Sequence, residues 1–316
     1  MTNRLLAIFL LLGALPGWLA AQESKPDVPP ASVQTPTSPQ VIRSRVELVN
    51  VLMTVTDKKN RTVIEMTKDD FHVFEDGKPQ TISYFSRESD LPLRIAILID
   101  TSNSVRDRLR FEQEAAIDFL TATVRKGKDM ALVVAFDSEP QLIQDYTDDK
   151  EKLATAIRSL QAGGVTSLYD AIFFTSKEKL YWFPPPEPYL RRVMIVISDG
   201  VDNYSQRGRD EAMAMAERAE VTIFPISTNR SGAETRGDKV LEWLAKETGG
   251  RAFFPFEPSD MAVDFQTIGR ELRSQYSLAY FSTNTAHDGT FRKISIAPVD
   301  KSLNVRAKTG YFALSQ

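Results

Sequence analysis

Apolar positions change rhythm twice along this chain of 316 residues. From Arg43 to Asp90 they alternate with polar ones. Val46 and Leu48 stand against Arg45 and Glu47, then Val49, Val51, Met53 and Val55 against Asn50, Thr54 and Thr56, the period of a half-buried strand. The phase slips at Leu48–Val49, which predicts a β-bulge there. Phe71–Glu75 and Thr81–Phe85 flank Asp76-Gly77, a pair that tolerates positive φ and predicts a hairpin. From Leu93 to about Gln275 the rhythm becomes one of continuous apolar runs separated by helical spacings. Ile95–Ile99, Val193–Ser198, Val221–Ile226 and Ala252–Pro255 read as buried strands. Phe111, Ala115, Ala116, Phe119 and Leu120 recur at helical spacing, and Leu153–Leu160, Leu168–Trp182, Asp210–Ala219, Lys239–Thr248 and Met261–Leu272 also read as helices. Met130–Phe136 and Gln141–Tyr146 around the polar turn 137–140 predict an antiparallel pair. Alternating β and α elements predict an α/β fold, a doubly wound, Rossmann-like, mainly parallel sheet covered by helices on both faces.

After Gln275 the strand period returns. Tyr276–Phe281 and Phe291–Ala297 flank a loop with Asp288-Gly289, and Leu303–Ala307 with Gly310–Leu314 is predicted as a last pair. With β segments at both ends of the α/β region, the two are expected to combine into one small discontinuous β domain.

The first residues read as an export signal over 1–21: Arg4 is a basic start, Leu5–Leu19 is apolar apart from Gly and Pro, and Ala20-Ala21 offers a cleavage site. The run is short for a spanning helix and no basic cluster follows it, so no transmembrane segment is expected after cleavage. Residues 22–42 are rich in Pro, Ser and Thr and read as a flexible linker. The remaining expected divisions are a β segment at 43–90, the α/β domain at 91–275 and a second β segment at 276–316. The expected location is periplasmic, cell-surface or secreted. A formal net charge of −3 predicts no general attraction to nucleic acid. The absence of Cys excludes disulfides, thiol nucleophiles and Cys-ligated zinc.

The candidate chemistry lies at strand ends. Asp100 closes an apolar strand and is followed by Ser102 and Ser104, and a side-chain period of two aims all three the same way. Gly163-Gly164-Val165-Thr166 precedes a helix, and Val193–Ser198 ends in Asp199-Gly200. In an open α/β sheet these loops share the edge where ligands bind. Oxygen-only donors select a hard cation such as Mg²⁺. Each group also has a plainer reading: Ser104 with Asp107, and Ser167 with Asp170, fit capping boxes, and Asp199-Gly200 fits a turn. Asp170 and Asp202 stand near enough in sequence for an outer shell or for turn roles.

Asp-x-Ser-x-Ser at 100–104, Gly-Gly-x-Thr at 163–166 and Ser-Asp-Gly at 198–200 resemble the metal-ion-dependent adhesion site of von Willebrand factor A (VWFA) domains, over roughly Leu93 to Gln275. The resemblance implies that Asp100, Ser102, Ser104, Thr166 and Asp199 contact Mg²⁺, with Mn²⁺ or Ca²⁺ as alternates. It further implies that an Asp or Glu carboxylate of a protein partner fills the remaining position. Asp69-Asp70-Phe71, Glu75-Asp76-Gly77 and Gly310-Tyr311-Phe312 are similar to a bacterial subgroup of VWFA-related proteins common in Acidobacteria. Two carboxylates among five ligands leave the cation residual charge for an external acid.

Rival classes are a metal-assisted hydrolase and a structural envelope module with a non-functional metal site. A dehalogenase-type phosphatase needs an acid where Ser102 stands, and no nucleotide-cradling Gly-rich loop or P-loop Lys is present. The only histidines, His72 and His287, lie outside the α/β region, so a Ser-His-Asp hydrolase is not expected. The expectation is an exported, non-enzymatic, metal-dependent protein-binding module.

Overall fold

The computed structural model describes residues 48–87, 90–181, 190–229 and 231–315. The expected export signal, the linker, positions 43–47 and Trp182 lie outside the described residues. The strands in chain order are β1 (Leu48–Thr56), β2 (Phe71–Glu75), β3 (Lys78–Gln80), β4 (Ile82–Arg87), β5 (Leu93–Asp100), β6 (Met130–Phe136), β7 (Pro140–Thr147), β8 (Arg191–Ser198), β9 (Val221–Ser227), β10 (Tyr276–Phe281), β11 (Phe291–Pro298), β12 (Asn304–Ala307) and β13 (Gly310–Phe312). The helices are α1 (Leu109–Thr123), α2 (Lys150–Arg158), α3 (Leu168–Phe174), α4 (Arg209–Arg218), α5 (Arg236–Thr248) and α6 (Pro258–Glu271).

The central sheet has the order β7-β6-β5-β8-β9, and every pairing in it is parallel except β6 with β7. Strands β5, β6, β8 and β9 are largely apolar because both faces are covered, whereas the edge strand β7 carries Gln141, Gln144 and Asp145 and is only partly buried. Ile95, Ile97 and Ile99 point to one layer, built from α1, α2 and α6, whereas Ala96 and Leu98 point to the other, built from α3, α4 and α5. The chain winds outwards from β5 in both directions, to β6 on one side and to β8 on the other. This reversal opens a crevice at the C-terminal ends of β5 and β8.

Outside this core lie two antiparallel sheets, β12-β1-β10-β4 and β13-β11-β2-β3. Val49, Val51, Met53 and Val55 pack with Phe71, Val73, Tyr276, Leu278, Tyr280 and Ile294 in a shared core. Strands from before residue 91 pair here with strands from after residue 275: β1 with β10 and β12, β4 with β10, and β2 with β11.

Several local expectations are corrected. The register of β1 on β10 runs without a slip through Leu48–Val49, and Leu48 is exposed, so its alternation is unbroken and needs no bulge. Asp76 and Gly77 do make a positive-φ turn, but the hairpin partner is Lys78–Gln80. The chain then crosses to the other sheet, where Phe85 stacks on Phe71 and Tyr276 at 5.6 and 5.3 Å. Likewise β12 and β13 do not pair with each other: β12 joins β1 and β13 joins β11, with Thr309 between them held to the Glu247 carbonyl. Ala252–Pro255 is no strand. Phe253 makes a single parallel bridge to Ile226, and Pro255 has no N–H to extend it. The helix expected over Leu168–Trp182 is α-helical only to Phe174 and π-helical over Thr175–Tyr181. Phe111, one of the apolar residues at helical spacing in α1, is 46% exposed, and Leu109, Glu112 and Gln113 take the inward face.

Candidate functional site

Asp100 is carried to the crevice by the fully buried strand β5 and is itself 0% exposed. Its hydrogen-bond partners are neutral. The Ser102 N–H donates to Oδ1 at 2.9 Å and the Ser198 hydroxyl to Oδ2 at 2.7 Å. Burial pushes the Asp100 carboxyl up to about 6; hydrogen bonds from Ser102 and Ser198 oppose this, and the nearby Asp199 charge adds to it. The crevice floor is therefore a buried anionic centre hydrogen-bonded by neutral groups, an arrangement that favours uptake of a proton or a cation.

The next residues leave the strand extended, with Ser102 at φ −65° and ψ 168°. The Ser102 and Ser104 hydroxyls lie 2.9 Å apart. Ser104 sits in the single 3₁₀ turn Asn103–Val105, and α1 starts after Arg108 with no side-chain cap, so the Ser104–Asp107 capping box does not form. Ser167 does occupy the cap position of α3 without capping it, and its hydroxyl is buried with no hydrogen-bond partner among the described residues.

Backbone and amide bonds draw the other two loops onto this one. The Gly163 N–H donates to the Thr101 carbonyl at 2.7 Å, and both the backbone N–H and the side-chain amide of Asn103 donate to the Gly164 carbonyl. Thr166, 4% exposed, donates its N–H to Asn203 Oδ1 at 3.0 Å and accepts the N–H groups of Asn203 and Tyr204 on its carbonyl. Its backbone is thus spent on the loop after β8. Asp199 is half-buried and accepts the Val201 N–H at 3.0 Å. The structure thus places Asp100, Ser102 and Ser104 in one loop, Thr166 in a second and Asp199 in a third, with the three loops fastened at one sheet edge.

Some contributors were not read from the sequence. Ser198 turns inward to Asp100 and also accepts the Gly200 N–H. Asn203 clamps Thr166 from 37 residues away. Gly237, in the first turn of α5, lies so close that a Cβ there would stand 2.0 Å from the Asp199 carbonyl oxygen, and one at Gly200 would stand 2.3 Å from the Gly237 oxygen. Only two glycines allow that approach. Asp202 and Asp170 serve the loops: Asp202 accepts the Tyr169 N–H, and Asp170 accepts the N–H groups of Gln206 and Arg207.

Residues 95–201, about a third of the chain, match the sequence model of the von Willebrand factor type A domain. No curated protein sequence matches the chain. Among solved structures, it is similar to the vWF domain of the type V pili tip protein Mfa5 from Porphyromonas gingivalis (14% identity, 57% of this chain and 94% of that one, TM-score 0.47). It is also similar to an aerotolerance-related membrane protein from Bacteroides fragilis (17% identity, 57% and 98%, TM-score 0.46). A third similarity is to the PilB minor pilin from Streptococcus sanguinis (13% identity, 58% and 62%, TM-score 0.45), of whose length this chain spans about three fifths. Among the described residues, no helix is long and apolar enough to cross a membrane.

Proposed function

We propose that Asp100, Ser102, Ser104, Thr166 and Asp199 hold a divalent cation, Mg²⁺ before Mn²⁺ or Ca²⁺, and that the protein is an exported binding module which captures an acidic group of a protein partner. The observation that carries this reading is the buried Asp100 carboxylate, bonded only to neutral donors, beneath three hydrogen-bonded loops that bring hydroxyls and a second carboxylate to the same edge. The donor set suits the ion: all oxygen, with only two carboxylates among five donors, so a bound hard cation is not saturated with anionic ligands and keeps affinity for a further one. A bound Mg²⁺ supplies residual positive charge to an external carboxylate. Asp100 provides the buried charge, Ser102 and Ser104 turn paired hydroxyls to one side, and Asn203 and Gly237 hold the Thr166 and Asp199 loops in register with them.

Binding rather than turnover follows from what stands at the edge. Its side chains are carboxylates, hydroxyls and amides, of which the Asn103 and Asn203 amides tie one loop to another. Neither histidine is near it: His72 lies in β2, and His287 follows β10. Isothermal calorimetry with Mg²⁺, paired with capture from native envelope or medium in Mg²⁺ against EDTA, tests the proposal. Heat and Mg²⁺-dependent capture in the wild type, both lost in Asp100→Ala, are expected. No Mg²⁺ heat, or hydrolysis of ester, phosphate or peptide substrates that vanishes with Asp199→Ala, would overturn it.

A further inference from the structure

Beside the Asp100 edge lies an open hollow of about 520 Å³ between the start of α1 and the end of α2. Arg106, Arg110 and Arg158 line it, with Glu114 as the one acid, over a floor that includes Leu109 and Leu160. The charges are not equivalent. Arg158 is neutralised by Glu114 through two hydrogen bonds of 3.2 and 3.3 Å. Arg106 donates to the neutral amide oxygen of Asn103 at 2.8 Å. Arg110 is exposed and attracts the Glu114 carboxylate through space, without a hydrogen bond to it among the described residues. Three guanidiniums thus share one carboxylate, bonded directly by Arg158, and the surplus positive charge lies on the Arg106–Arg110 side.

This hollow adjoins the loops of the candidate metal edge. Asn103, which receives Arg106, is the residue that donates to the Gly164 carbonyl, and Ala162 of the hollow directly precedes Gly163. Gln113 in the floor fixes the wall by donating to the Ile157 and Leu160 carbonyls at 2.8 and 3.1 Å. A cradle with three guanidiniums to one carboxylate, in a chain whose net charge is −3, is a local reversal of sign.

We infer that the partner docks as an acidic segment, placing one carboxylate at the Asp100 edge and further Asp or Glu side chains in the groove of Arg106 and Arg110. This rests on the proposed metal-dependent capture and specifies its partner: a run of acids rather than an isolated one. Guanidiniums suit this role because their planar fork can take a carboxylate bidentately.

The test uses the full chain and two labelled synthetic peptides followed by fluorescence anisotropy. One carries a single Asp in a Gly/Ser background, the other the same Asp flanked by three Glu, each in Mg²⁺ and in EDTA. In Mg²⁺ the acidic-run peptide is expected to bind about tenfold more tightly than the single-Asp peptide, a preference that falls as salt rises. Arg106→Ala/Arg110→Ala is expected to abolish that preference and Arg110→Ala alone to reduce it about threefold. The charge-matched control Lys177→Ala/Lys246→Ala is expected to keep it. Equal affinity for the two peptides, or an equal loss in the control, would overturn the groove. If the wild type binds the single-Asp peptide only in Mg²⁺ yet gains nothing from the extra acids, the groove fails while the metal reading stands. If an Arg-dependent preference persists in EDTA and Mg²⁺ adds nothing for either peptide, the metal reading fails and the groove stands. Tighter binding of dextran sulfate than of either peptide would replace the acidic segment with a sulfated polymer.

Discussion

Asp100 shows what a single residue contributes when its partners are all neutral. A carboxylate at 0% exposure is costly to keep charged, and Ser102 and Ser198 only partly offset that cost. Asp100→Asn is expected to raise the melting temperature of metal-free protein by a few degrees and to abolish the further rise that Mg²⁺ gives the wild type. Differential scanning calorimetry with EDTA and with Mg²⁺ reads both. A variant that melts lower without metal, or still responds to Mg²⁺, would contradict the reading. Asp129, at the other end of the sheet, is the opposite case. Burial pushes its pKa up, but the Arg125 guanidinium, the N–H groups of Leu93 and Arg125, and Arg273 together pull it down to about 2. A depressed carboxylate adds stability above its unfolded pKa and loses it as pH falls through the folded one. Asp129 is thus expected to contribute about 2 kcal/mol at neutral pH, lost between about pH 4 and pH 2. Urea titrations of wild type and Asp129→Asn across that window should converge at the acid end. Curves that stay parallel would refute it. The metal-site candidates were legible as types and spacings, since hydroxyls at intervals of two after an apolar strand need no partner to be noticed. The inward turn of Ser198 was not, because its partner lies 98 residues away.

At the scale of elements, legibility followed length and burial. Long apolar strands such as β5, β6 and β8 could be read because a strand covered on both faces carries its signal in every residue. The errors of strand pairing fell on elements of three to four residues, β3, β12 and β13, whose partners depend on where the chain crosses between sheets. Ala252–Pro255 misled because an apolar run beside Pro has the composition of a strand without the donors for a ladder. The start of α5 was read late, at Lys239 rather than Arg236, although Thr235 and Asp238 form a capping box. That first turn matters to the site through Gly237. Gly237→Ala is expected to push the Asp199 loop outward, costing about 1–3 kcal/mol of stability and roughly tenfold in Mg²⁺ affinity. Calorimetric titration at a temperature where the variant is fully folded separates the two effects. Wild-type affinity in a folded variant would show that the Gly200–Gly237 contact does not position Asp199.

For the whole molecule, the N-terminal and C-terminal β segments meet in a buried polar cluster. Tyr280 and Tyr311 donate their hydroxyls to Glu75 Oε2 at 2.9 and 3.1 Å, Ser282 donates to Oε1 at 2.6 Å, and Arg292, 0% exposed, places Nη1 3.7 Å from Oε1. One carboxylate from β2 thus gathers groups contributed by, or following, three strands beyond residue 275. Removing it leaves a buried guanidinium short of its counter-charge, so Glu75→Ala is expected to cost about 3–5 kcal/mol in denaturant unfolding. A loss under about 1 kcal/mol would show the cluster to be incidental. The same pairing carries the proposal that 43–90 and 276–316 form one discontinuous β domain flanking 91–275. β10 is held between β1 and β4, whereas β11 is held between β2 and β13. A protease site engineered at Ala286–His287, between β10 and β11, would therefore leave each fragment paired to strands of the other. After cleavage the two pieces are expected to co-elute in native gel filtration and to part only in urea. Separation without denaturant would mean that the strands do not form a cooperative unit, and the proposed domain would have to be withdrawn.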